Sequence, residues 1–241
     1  MRMLAFARRN MREMLRDPLT LFFGAGFPLV LLLLLSLIQA NIPVPLFEAN
    51  KLAPGIAVFG QFFLALFAAL LVSRDRCSAL MLRLRTSPMR GVDFILGYIL
   101  PLIPLALAQG LLCLMAAVPL GLDFGWGLIR TLAALLPGAL MNISLGLICG
   151  CLFNERQVGG VCGALLTNVG AWLSGTWFDL SLVGGAFERI AYMLPFANAV
   201  DAARAAFVGG DARMSLIVVC IYSIAFTLSA VWIFARRALE S

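Results

Sequence analysis

Between Ser73 and Tyr98 the chain reads SRDRCSALMLRLRTSPMRGVDFILGY, with five arginines (Arg74, Arg76, Arg83, Arg85, Arg90) against two acids, Asp75 and Asp93. Guanidinium groups at this density make charge-assisted bonds to carboxylates, phosphates or carbonyls. This is the chemistry of binding, not of bond cleavage. The residues needed for most catalysis are missing. The chain has no histidine, which excludes a histidine-based triad, a histidine-ligated metal and a histidine proton relay. Its one lysine, Lys51, follows Asn50, so the Gly-Lys of a phosphate-binding P-loop is absent.

The elements that carry this loop are apolar. Hydrophobic residues make up 62% of the chain and charged residues 12%, and the mean hydropathy is +1.00, values far outside the soluble globular range. A spanning helix needs about 20 mostly apolar residues. Six stretches qualify, at roughly 20–39, 54–72, 92–119, 128–152, 158–177 and 214–235. Pro101, Pro104 and Pro137 lie inside the third and fourth and predict kinks there. The expected fold class is therefore an all-α integral membrane domain of six transmembrane helices, a single unit over 1–241.

Six spans place both termini on one side, and basic residues indicate which. The N-terminal segment, the loops after spans two and four and the C-terminus hold 13 of the 18 basic residues, while the acids divide evenly between the two sides. Both termini and the arginine-rich loop are expected in the cytoplasm of a bacterial-type plasma membrane. The pI of about 9.4 then reflects topology and anionic lipid, not nucleic acid. The run from Leu21 to Ile38 is too long for a signal-peptide core, so the first span is expected to stay uncleaved.

Residues 1–17 repeat Met3, Leu4, Ala7, Met11, Met14 and Leu15 at helical spacing, with arginines on the other faces. That pattern predicts an interfacial amphipathic helix, with Asp17 and Pro18 closing it and opening the first span. Residues 178–213 are too apolar for a solvated loop, and Pro195 divides them. They are expected to form an extracellular re-entrant hairpin of two short helices, with Asp201 and Arg204 paired on one face of the second.

Within the spans, Asn142, Ser144, Thr167 and Asn168 either line a substrate path or only satisfy one another across helices. Gly146 with Gly150, and Gly159 with Gly163, have the small-residue spacing of close helix packing and permit a dimer face. The six cysteines fall almost wholly in spans and are expected to pack as small apolar groups, with no disulfide and no metal. Acids are nearly absent from span interiors, which disfavours an ion-coupled carrier.

Two motifs give the chain a resemblance to the permease subunits of type 2 ATP-binding-cassette transporters. In the loop after span two, Asp75, Arg76, Leu84, Pro88 and Gly97 fall at the family's positions. Cys77, Ala79 and Tyr98 depart from it, standing where the family has an acid, a glycine and a lysine. In LPFANAVDAARAAFVGG, Pro195, Ala199, Val200, Asp201, Ala202, Arg204 and Gly209 match.

The resemblance implies that residues 74–90 are a coupling loop whose helix docks on a cytoplasmic P-loop ATPase. Leu80, Met81 and Leu84 would supply apolar contact, and Arg74, Arg76, Arg83 and Arg85 the charge-assisted bonds. It also implies a second permease protomer, identical or homologous, and ATP with magnesium in the partner, with no cofactor in this chain. The implied activity is export of hydrophobic or amphipathic cargo (a drug, peptide, lipid or lipid-linked glycan) by alternating access. An ATP-independent carrier and a non-transporting membrane scaffold remain alternatives; an intramembrane enzyme would need clustered catalytic groups that are not visible.

Overall fold

The computed structural model describes residues 2–42, 47–78 and 91–239. Among them every regular element is a helix. α1 is Arg2–Arg16. Asp17 separates it from α2, Pro18–Ala40. The Asp17 carboxylate accepts from the Leu19 N–H at 3.1 Å and the Thr20 hydroxyl at 2.9 Å, while Pro18 sits where a helix has no use for an N–H. The others are α3 (Ala49–Arg76), α4 (Gly91–Ala117, extended by a 3-10 turn to Leu120), α5 (Trp126–Leu152), α6 (155–174), α7 (Gly185–Met193), α8 (Pro195–Val208) and α9 (Arg213–Leu239).

Among the described residues five helices, α2 to α5 and α9, are long and apolar enough to cross a membrane. α6 covers the fifth expected span, but its middle, Gly159–Leu166, is π-helical between two short α segments. The span ends also shift: α3 runs on to Arg76, four residues past the expected boundary, so Arg74, Asp75 and Arg76 belong to the end of a span.

α3 is the hub of the bundle, with 89% of its apolar window buried, whereas α2 and α9 bury only 17% of theirs and face outward. α3 packs chiefly on α5, with α4 and α8 beside the pair, and α9 lies on the far flank of α5. The α3–α5 contact rests on small residues. A Cβ added to Gly146 would stand 2.1 Å from the Ala65 carbonyl oxygen, and one on Gly150 would stand 2.6 Å from that of Ala69. The first glycine pair is thus consumed inside the chain. Of the second, Gly159 meets nothing within 4 Å and Gly163 meets only the Leu66 side chain.

α8 is buried among the spans. Phe196 packs edge-to-face on Phe62 (5.4 Å), and a Cβ on Gly127 would strike the Phe207 carbonyl. Its N-terminus therefore lies beside the middle of α3, and its C-terminus beside the start of α5. Arg204 fixes that position by donating to the carbonyls of Lys51, Gly175 and Thr176, each at 3.1 Å. Gly175 has φ +65° and closes α6, and Arg204 takes up its carbonyl. The expected Asp201–Arg204 pair is not formed; the guanidinium is spent on three carbonyls instead, which in a low-dielectric interior would otherwise lack donors. Arg204→Lys, with one point charge in place of a planar fork, should lower the thermal midpoint nearly as far as Arg204→Ala, read by unfolding in detergent.

Candidate functional site

The arginine-rich loop follows the end of α3, Arg74 to Arg76, whose three side chains reach four neighbouring helices and Asp17. Asp75 is the centre. Its side chain is 4% exposed, and it accepts two parallel bonds from Arg9 on α1, Nη1 to Oδ2 and Nη2 to Oδ1, both 2.8 Å. The Tyr98 hydroxyl on α4 donates to Oδ2 at 2.9 Å. A planar fork on a carboxylate is the strongest common ion-pair geometry. The hydrogen bond to Asp75 also holds the Arg9 pKa above its ordinary value, against the opposing effect of burial.

The sequence of α1 explains how Arg9 arrives there. Phe6, Ala7, Asn10 and Met14 make one buried stripe. Phe6 fills the notch left by Gly97, where a Cβ would come within 2.4 Å of its ring, and packs edge-to-face on Tyr98 at 5.0 Å. Asn10 donates to the Gly97 carbonyl at 3.1 Å and accepts from Arg9 Nη1 at the same distance. Glu13, one turn on, takes the remaining face of the guanidinium at 2.8 Å. Leu4 and Leu15, also counted in the apolar repeat, are exposed at 60% and 54%. The stripe is therefore split between a face toward α4 and a face away from the protein.

The two arginines flanking Asp75 work the same way. Arg76 donates from Nη1 to the carbonyls of Gly150 (2.9 Å) and Cys151, capping the C-terminal end of α5 with a cation. Arg74 binds Glu155 at the start of α6 (2.7 Å) and lies 4.0 Å from Asp17. Both ends of the Arg74–Glu155 pair are about half exposed, so its energetic weight is small. Expected as docking groups for another protein, Arg74, Asp75 and Arg76 instead meet partners within this chain. Leu80, Met81, Arg83, Leu84, Arg85 and Pro88 lie outside the described residues.

The four polar residues expected on a substrate path are not brought together. Asn142 donates to the Gly138 carbonyl, Thr167 to that of Cys162, and Asn168 to that of Ala164, each within its own helix. Only Ser144 reaches across, to Thr227 on α9 at 2.8 Å, and Asn168 is exposed. All six cysteines are free thiols, with Cys77 and Cys220 exposed. No cluster able to hold a metal occurs among the described residues.

A bundle of long apolar helices around a buried hub, with a charged anchor at one end, defines a multi-pass membrane protein. The family model of the ABC-2 type transporter matches residues 1–208, and the chain belongs to that family. It is accordingly the membrane component of an ABC transporter, which lacks ATPase motifs of its own and works with an ATP-binding partner. No curated protein matches it.

Proposed function

We propose that this chain is the permease of an ATP-driven exporter, moving hydrophobic or amphipathic cargo by alternating access. The observation that carries the reading is the Asp75 hub. The loop that begins just after it joins α3 to α4, and Asp75 binds Tyr98 on α4 and Arg9 on α1 through the same carboxylate. Displacement of the loop by a partner would therefore move α1, α3 and α4 together rather than only bend a connector. Coupling between distant sites needs a rigid element of this kind.

In this reading the loop and both termini face the cytoplasm, where most of the arginines fall. α1 lies in the headgroup region, with Leu4 and Leu15 in lipid and Arg8 and Arg12 at the surface. The apolar Leu80, Met81 and Leu84, with Arg83 and Arg85, dock on the ATPase, which binds ATP and magnesium. A second permease protomer completes the pathway. Pro195, Asp201 and Arg204 belong to the external hairpin that closes the outer end.

Reversing charge at Arg83 and Arg85 (R83E/R85E) should abolish co-purification of the ATPase and ATP-dependent transport while leaving the thermal midpoint of the permease unchanged. If the ATPase stays bound and transport is unaltered, the docking assignment is wrong.

A further inference from the structure

At the end opposite the Asp75 hub, α5, α9 and the loop between α8 and α9 enclose an open groove of roughly 800 Å³. We infer that this groove is a binding site for an anionic phospholipid, with the lipid phosphate between Arg130 and Arg213 and the start of one acyl chain along the wall below.

Three features converge on that ligand. The first is charge. Arg130 and Arg213 line the rim with a single acid, Asp211, whose Oδ1 is taken by the Arg213 backbone N–H at 2.9 Å. Among the described residues none of the three forms an ion pair, so the rim holds two exposed arginines against one carboxylate, a net positive charge. Arg130 is also held in place. Its Nη2 approaches the Phe207 carbonyl at 3.4 Å, and Gly209, at φ +79°, leaves room for the guanidinium where a Cβ would come within 2.5 Å of it.

The second is the gradient of polarity. Below the arginines the wall is Ala134, Pro137, Leu216 and Cys220. From Arg130 to Pro137, and again from Arg213 to Cys220, is about 10 Å along a helix. The groove therefore passes from charge to hydrocarbon over the depth at which a phospholipid does the same.

The third is level. Trp126, 78% exposed, opens α5 one turn before Arg130. Exposed tryptophan at the end of a span marks the membrane interface, which is where lipid phosphates lie. Ile217 and Ile221 on the adjoining face of α9 are exposed at 52% and 61%, so the groove opens sideways to lipid. Two basic groups against one acid at the interface favour a headgroup with net negative charge over a zwitterionic one.

The test is native mass spectrometry of the full chain from nanodiscs containing equal phosphatidylglycerol and phosphatidylcholine with identical acyl chains. The expected result is about a tenfold preference for phosphatidylglycerol, the order of magnitude two basic groups supply, falling to parity in R130Q/R213Q. A134W keeps both arginines but fills the wall, and it should lose the bound lipid as well. Glycerophosphate at millimolar concentration should not displace the lipid. Circular dichroism and the thermal midpoint establish that both variants are folded. Equal binding of the two lipids, a preference that survives R130Q/R213Q, or an A134W variant that binds like the parent would each overturn the proposal. Full displacement by glycerophosphate would make it a site for soluble anions instead.

Discussion

Asp75→Ala should destabilise the protein by roughly 3 kcal/mol, the low end of the range for breaking a buried charge pair. Full burial of both partners would put the loss higher, but the Arg9 side chain is 37% exposed and recovers part of its solvation. Tyr98 cannot recover in this way. It is fully buried, and its hydroxyl would be left without an acceptor, at a cost of about 1–3 kcal/mol. The thermal midpoint in detergent should fall by ~5–10 °C. Tyr98→Phe removes one bond and leaves the ion pair, so its loss should be nearer 1 kcal/mol. Arg9→Ala combined with Asp75→Ala should cost clearly less than the two losses added, because the groups act on each other. ATP-dependent transport should fall further than the folded fraction does, since the hub joins the loop to three helices. A midpoint within a degree of the parent for Asp75→Ala would remove the hub from any account of stability, and additive single losses would show that Arg9 and Asp75 are not coupled.

How far the sequence reveals this arrangement depends on the range of the interaction. Spans and caps are local, so composition and the Asp17-Pro18 pair find them. Pairings between helices are not. Arg9 and Asp75 are 66 residues apart, and either could have been a surface charge. Tyr98, which departs from the lysine of the resembled motif, supplies the hydroxyl that meets Asp75. The split stripe on α1 was hidden for a different reason. Spacing identifies apolar residues, but it cannot say whether Phe6 or Leu4 faces protein, since lipid and protein interior are equally apolar. The four polar residues read as either a substrate path or interhelical bonds mostly turn inward on their own helices. Asn142, Thr167 and Asn168 each find an acceptor in the preceding turn of their own helix, the nearest one available to a polar side chain in an apolar span. The glycine spacing at 146 and 150 was legible, but its partner was not: the spacing permitted a dimer face, and the structure sets it against Ala65 and Ala69, at the same interval on α3.

That contact gives the second large effect. Gly146→Ala should cost at least ~3 kcal/mol, the upper end for overpacking, and Gly146→Val should leave little folded protein, read as the monodisperse fraction after extraction. The added Cβ would stand 2.1 Å from the Ala65 carbonyl oxygen and 2.7 Å from its Cα and carbonyl carbon, so the obstacle is backbone. Relief requires α3 and α5 to separate, which also opens the contact of Gly150 with Ala69 one turn below. For the same reason Ala65→Gly should not rescue Gly146→Ala, because it removes a methyl that is not the obstacle. Gly60 makes the opposite case. A Cβ there would also stand 2.1 Å from its nearest neighbour, but that atom is Nε2 of Gln109, the far end of a side chain. Gly60→Ala should therefore be the milder change, and Gln109→Ala should restore most of what it loses. Gly159→Ala, with nothing within 4 Å of the new atom, should be neutral. Rescue of Gly146→Ala by Ala65→Gly, or failure of Gln109→Ala to relieve Gly60→Ala, would show that the bundle yields at its helix axes rather than at its side chains. The close α3–α5 crossing would then not be what holds the hub in place.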